Sequence, residues 1–376
     1  MCEISFENLN MTIYIIELVI IAITSGIGLI RSSNAQKTYL IIVFFVLFLV
    51  SGLRASSVGS DTMVYGMEFQ RIASSSNFSE AFHSTTITAP VYVAYNWLVG
   101  HITNNYQVIL LFNAAVVSIG IGRLIYKTSS SVAFSAFCFF GLAAYFQSMN
   151  GMRQYIAVVF AINAYVYFAQ KGLKSVRGWL LFLVAVGMHS TALIFLIAIA
   201  GVCYVRVRSD YKAAVKHFTI AAVVCVLLIG PLMDLFVRVF PYYALFVNGT
   251  KYDILGSDSS GRIVVLYAFL AIIVLLAYNK LGKGRVKYED NPAALFFPLV
   301  ILAVVFGFAF TKSFLMNRLV WYFIIGFVSF IPYAFQKYST NARILMKLTT
   351  VAALLVWCSV QLIEDKSSIV PYTLCF

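Results

Sequence analysis

Apolar residues come along this chain in runs of roughly 15 to 25, separated by short polar breaks, and a helix of that length spans the ~30 Å hydrocarbon core of a bilayer. Ten runs qualify: 10–30, 39–53, 106–126, 132–148, 152–169, 213–236, 263–278, 292–310, 319–335 and 344–363. Two apolar stretches fit poorly. The stretch 90–102 is too short to cross. The stretch 178–205 is long for one helix and short for two, and carries Gly187-Met188-His189-Ser190-Thr191 near its middle. Lys171, Lys174 and Arg177 precede it, and Arg206, Arg208, Lys212 and Lys216 follow it. If both basic flanks lie on one side of a membrane, the segment enters and returns as a broken-helix hairpin with His189 at the tip. Non-helical backbone at that depth has to be buried or line a cavity. A single tilted helix would instead put one basic flank on the other side. The pattern predicts an all-α polytopic membrane protein. It has about ten transmembrane helices plus short re-entrant or interfacial helices, in a single transmembrane domain over 1–376.

Composition points the same way: 61% of residues are hydrophobic and 11% charged, with a mean hydropathy of +0.90. Soluble domains carry about 25% charged residues. The first ten residues contain Glu3 and Glu7 and no basic residue, the reverse of a signal-peptide start, so no cleavable leader is expected. The formal charge of +13 does not indicate a nucleic-acid partner, because Lys and Arg gather in the inter-helix loops where they set topology. The six cysteines have neither a CxxC pair nor a metal-ligand spacing, so neither metal nor cofactor is expected.

Placing the basic loops inside puts both termini outside, with outer loops at 54–89 and 237–262. Nine of the 27 Lys and Arg then lie outside against the rule: Arg54, Arg71, Arg153, Arg238, Arg262, Arg318, Lys251, Lys312 and Lys366. Arginine dominates this set, and several members sit at a helix end. Arg54 follows the second run and precedes Gly59 and Asp61. Arg153 lies in Asn150-Gly151-Met152-Arg153-Gln154. Arg262 opens a run after Gly261, and Arg318 opens one in Asn317-Arg318-Leu319. Charge at such positions is expensive unless it faces a polar cavity, and the planar guanidinium fork suits phosphate. Arg54, Arg153, Arg262 and Arg318 are therefore candidate ligands for an anion, with Gln154 and Asn317 beside them.

His189 is the one histidine embedded in an apolar run, and a neutral imidazole suits a general base. Asp61 is the second candidate. Tyr65, Tyr242, Tyr243 and Trp321 are candidates for stacking on sugar rings. No DxD pair and no glycine-rich phosphate loop is present, which argues against nucleotide-sugar or ATP chemistry and leaves a lipid-borne donor compatible.

At these residues the chain resembles the Wzy-type polysaccharide polymerases of bacteria, in their EpsG-like branch. The matching elements, in order, are Gly52-Leu53-Arg54 with Val58-Gly59-Ser60-Asp61-Thr62 and Tyr65, then Asn150-Gly151-Met152-Arg153-Gln154, then His189-Ser190-Thr191, then Asn317-Arg318. The resemblance implies a metal-independent glycosyltransferase of the multi-spanning, GT-C-like class in the bacterial inner membrane. Such an enzyme joins undecaprenyl-pyrophosphate-linked repeat units into O-antigen, capsular or exopolysaccharide at a site facing the periplasm. It makes 54–89 and 237–262 periplasmic loops. The implied partners are a lipid-linked donor, a lipid-linked acceptor, membrane lipid and, as a further candidate, a chain-length regulator protein. Competing classes are a lipid-linked oligosaccharide flippase or transporter, an O-antigen ligase and a membrane O-acyltransferase. A flippase should show internal pseudo-symmetry and midplane charges, and the sequence has neither. An acyltransferase needs an acyl-donor path that the outer arginines do not supply.

Overall fold

A computed structural model describes residues 11–30, 32–85, 87–239, 259–311 and 314–375. Among them the chain is helical, without strands beyond an isolated bridge between Arg54 and Leu374. The first helices are α1 (Thr12–Leu29) and α2 (Ser33–Gly52), followed by three shorter ones, α3 (Ser60–Ala73), α4 (Phe78–His83) and α5 (Pro90–Gly100). Next come α6 (Gln107–Thr128), α7 (Val132–Gly141), α8 (Ala144–Asn150) and α9 (Met152–Lys171). Then follow α10 (Val176–Met188), α11 (Leu196–Val205), α12 (Tyr211–Val239) and α13 (Ser259–Asn279). The chain closes with α14 (Phe297–Ala309), α15 (Phe314–Ile324), α16 (Phe327–Ala334) and α17 (Thr340–Ile363).

Among the described residues eight helices are long and apolar enough to cross a membrane, and up to ten spans result if each of two bent pairs counts as one. The bent pairs are α7 with α8, at 53°, and α15 with α16, at 54°. The first bend falls where Ala143 takes a left-handed conformation, φ 59°. The second falls at Gly326, where a Cβ would collide with Leu299. Periodicity alone joins each pair into one run, because a bend leaves the apolar composition unchanged.

α9 is the centre of the bundle. Some 72% of its spanning window is buried, against 22% for α1 and 17% for α17 at the rim. Ala157, Ala161 and Ala164 on α9 are fully buried, and small residues let neighbouring helices approach closely in a membrane. The same helix carries Arg153 on its first turn, so a deeply enclosed element of the fold also holds a candidate ligand.

The segment after α9 leaves and returns to one end of the bundle. Trp179 Nε1 donates to Leu173 O at 2.9 Å as α10 departs. Arg206, just past α11, donates from Nε to Ala169 O at 3.1 Å and from Nη2 to Gln170 O at 2.7 Å, both on the last turn of α9. Between the two helices His189 is extended, φ −156° and ψ 117°, and a 3₁₀ turn runs from Ser190 to Phe195. The tip packs at the end of the bundle where α9 begins: a Cβ on Gly187 would collide with Val91 of α5.

Candidate functional site

α2 ends in a loop that is held from every side. Arg54 is 1% exposed. Its guanidinium donates from Nε to Val58 O at 3.3 Å, from Nη1 to Ser51 O and to Ser51 Oγ, and from Nη2 to Met149 O at 2.8 Å. The C-terminal segment closes over the same loop. Ala55 N donates to Thr373 O at 2.8 Å, Gly59 N to Ser368 O at 2.6 Å, and Cys375 N to Leu53 O at 3.0 Å. Gly59 has φ 94°, and a Cβ there would press on Met149 O, so glycine is required for the turn that starts α3. Arg54 was expected to be an anion ligand. Its donors are instead engaged by backbone carbonyls, which makes it the anchor of the loop rather than a wall of a cavity.

The loop delivers Asp61 to the first turn of α3. Asn150 Oδ1, at the end of α8, accepts from Asp61 N at 3.0 Å and from Ser60 Oγ at 3.1 Å. Asp61 Oδ2 meets Arg318 Nη1 at 3.3 Å, with the two side chains 28% and 23% exposed. Arg318 also lies 5.6 Å from the centre of the Trp321 ring, and Gln154 Nε2 donates to Arg318 O at 2.9 Å. Trp321 packs on Gly151, where a Cβ would collide with it. This tight packing locks the start of α9 against α15.

Arg153, on the first turn of α9, lies 5.7 Å from the centre of the Tyr92 ring and shares a hydrogen bond with Tyr65. Its Nε is buried and has no partner. Burial raises the Tyr65 pKa, an effect that the charge of Arg153 partly offsets, so the phenol remains a donor. His189 joins this group from the helix break. Its Nδ1 lies 2.6 Å from Thr191 Oγ1 and accepts from Thr191 N at 3.4 Å, and Thr191 Oγ1 lies 3.2 Å from Tyr322 OH. With Nδ1 as acceptor, the neutral ring carries its proton on Nε2. Burial, then the charges of Arg153 and Arg318, lower the His189 pKa to about 3. The imidazole is therefore neutral at neutral pH.

The structure thus brings together Arg153, Arg318, His189, Asp61 and Tyr65, with Gln154 holding the backbone beneath Arg318. Two guanidinium groups gather here with one carboxylate, which pairs with Arg318, leaving a net positive cradle. Three expected contacts fall elsewhere. Arg54 is buried in its loop. Arg262 pairs with Glu364, next to Lys366 at 3.4 Å from the same carboxylate. Asn317 Oδ1 accepts from Tyr267 OH at 3.0 Å, which fixes its side chain between α13 and α15. Tyr242, Tyr243, Lys251 and Lys312 lie outside the described residues, as does much of 237–262. The sequence reading left out the residues 368–375 that clamp the loop and the relay Thr191–Tyr322. The clamp is a short extended stretch without periodicity, and only tertiary contact reveals it. Thr191 was visible in its motif beside His189, but its link to Tyr322 crosses 131 positions.

Among the described residues no group of three or more His, Cys, Asp or Glu is placed to hold a metal ion. No curated protein and no solved structure matches the chain at a significant level. The model of the EpsG family matches residues 37–374, from the start of α2 to the C-terminal clamp. That span contains every residue of the cradle and all four motifs. The chain therefore belongs to the EpsG family of Wzy-like polysaccharide polymerases.

Proposed function

We propose that this chain joins polyprenyl-pyrophosphate-linked oligosaccharides at the cradle of Arg153 and Arg318, on the periplasmic face of the inner membrane. Undecaprenyl pyrophosphate is the carrier this reading takes for both donor and acceptor. The observation that carries it is the buried, unpartnered Nε of Arg153 on a deeply enclosed helix, beside a second arginine and a neutral histidine. In the reaction, a hydroxyl of the acceptor sugar attacks the anomeric carbon of the donor. The bond from that carbon to the pyrophosphate oxygen breaks, and the leaving lipid pyrophosphate gains negative charge. Arg153 and Arg318 stabilise that charge in a water-poor site. The hydroxyl proton passes to Nδ1 of His189, with the Thr191 hydroxyl as relay. Substrate phosphate offsets the two arginine charges that depress the basicity of His189, so the base strengthens when substrate is bound. Asp61 holds Arg318 in place through their ion pair.

A gel of the surface glycan in a deletion strain tests the reaction class. Single repeat units, converted to a ladder by the wild-type gene, fit a polymerase. A bare acceptor with long lipid-linked glycan fits a ligase, and single lipid-linked units held on the cytoplasmic side fit a flippase. In the same strain His189→Gln, which keeps hydrogen bonding without useful basicity, is expected to cut polymer formation by about 10²- to 10⁴-fold at normal protein level. Thr191→Val should lose much of the same activity. Near-normal polymer from His189→Gln would remove His189 as the base. For sidedness, a cysteine at the exposed Ser79, after replacement of the native cysteines, should react with an impermeant thiol reagent in intact spheroplasts. Labelling only after lysis would put the cradle on the cytoplasmic face.

A further inference from the structure

The far end of the bundle carries a second set of cations with no assigned role. Two apolar grooves flank α6 there. One, between α2 and α6, encloses about 560 Å³ and is lined by Leu40, Phe44, Phe48 and Gly122. The other, between α6, α9 and α10, encloses about 400 Å³ and is lined by Val116, Val159, Phe160 and Leu181. Ala115, Ile119 and Arg123 line both. The grooves therefore meet on one arginine. Arg123 is held only by neutral partners, Nη1 donating to Asn163 Oδ1 at 2.5 Å and Nη2 to Tyr167 OH at 2.9 Å. Lys37 and Lys127 sit on the Tyr126 ring, at 5.5 and 5.6 Å from its centre. None of the ion pairs among the described residues includes Lys37, Arg123 or Lys127.

The grooves open sideways: Ile41 is 69% exposed and Ile119 71%. From Lys37 to Phe48 the first groove runs about 16 Å along α2, close to one leaflet of a ~30 Å core. Basic pockets between membrane helices suit anionic lipid headgroups. An unpaired cationic rim above two apolar channels that converge on one residue matches a molecule with one phosphate and two acyl chains. A bulk lipid that merely coats the protein makes no use of such convergence.

We infer that one anionic phospholipid is held at this end, its phosphate on Lys37, Arg123 and Lys127 and one acyl chain in each groove beside α6. The site is separate from the Arg153–Arg318 cradle and does not depend on the proposed reaction, because it lies at the opposite ends of α6 and α9.

The test is native mass spectrometry of the full chain in detergent, titrated with phosphatidylglycerol and, separately, with phosphatidylcholine of the same acyl chains. The expected result is one retained phosphatidylglycerol per chain and weaker retention of phosphatidylcholine. Each of Lys37→Gln and Lys127→Gln should weaken phosphatidylglycerol about fivefold, and the double variant roughly 25-fold. Lys171→Gln with Lys174→Gln, which removes as much charge from a neighbouring loop, should leave retention unchanged. Ile119→Trp is at an exposed position and fills both grooves, so it should weaken both lipids without loss of folded protein. Equal retention of the two lipids overturns the inference, as does equal loss in the Lys171/Lys174 control. A dimer that Ile119→Trp dissociates while phosphatidylglycerol retention stays the same would assign the grooves to a second copy and also overturns it.

Discussion

Arg54 follows the last turn of α2 and Arg153 opens α9, so both stand at helix ends on one side of the bundle. Around Arg54 the backbone turns inward. Val58 O, Ser51 O and Met149 O point at the guanidinium, and residues 368–375 cover it. Around Arg153 the neighbours are ring faces and a phenol, Tyr92 and Tyr65, which hold the group without using up its donors. Nε stays unpartnered. The difference teaches that a helix-end arginine is a ligand only when its surroundings leave donors over. Carbonyls from an irregular loop make it an anchor, while aromatic faces keep it available for an anion.

The largest expected effect breaks the anchor. Arg54→Lys loses the fork and leaves buried carbonyls short of donors, and hydrogen bonds to charged groups are worth about 1.5–3 kcal/mol each. We expect at least about 3 kcal/mol of lost stability, read as a lower yield of folded protein and a lower melting temperature in detergent. Arg153→Lys should keep the yield of the wild type. Equal yields for the two variants would erase the distinction.

A second prediction sharpens the electrostatics of the cradle. In the free enzyme His189 has its pKa lowered to about 3 by burial and by Arg153 and Arg318. The lowered pKa keeps the ring neutral, and so able to accept a proton, down to acid pH. The acid limb of kcat/KM, which reports the free enzyme, should therefore show no His189 inflection between about pH 5 and 8. If pyrophosphate binds there as proposed, it offsets the arginines, and the limb of kcat should move to higher pH. Coincident limbs would show that substrate charge does not reach His189. The smallest effect belongs to Arg262→Gln. Its pair with Glu364 is partly solvent-exposed on the rim of the bundle, and surface pairs contribute about 0–1 kcal/mol, so stability and polymer level should stay near the wild type.

The spanning pattern was legible in the sequence because a bilayer imposes length and apolarity on every crossing helix. The ten runs reappear as eight helices and two bent pairs. The bends at Ala143 and Gly326 were not legible, because they depend on backbone conformation and on Leu299 in another helix. At the site, residue type and helix-end position identified Arg153, Arg318, Asp61 and His189 as candidates. They did not separate these from Arg54 and Arg262, since what divides them is the partner each finds. Those partners, Val58 and Met149 for Arg54 and Glu364 for Arg262, come in part from sequence positions far away.

The central claim is that Arg153 and Arg318 form one cradle for a lipid pyrophosphate. Its most direct test is binding of undecaprenyl pyrophosphate to the purified chain, followed by tryptophan fluorescence because Trp321 stacks on Arg318. Wild-type protein should bind, and Arg153→Lys and Arg318→Lys should each weaken binding by about tenfold or more through loss of charge-assisted hydrogen bonds, while Arg262→Gln stays at the wild-type affinity. Wild-type affinity in both cradle variants, or an equal loss in Arg262→Gln, would contradict the account.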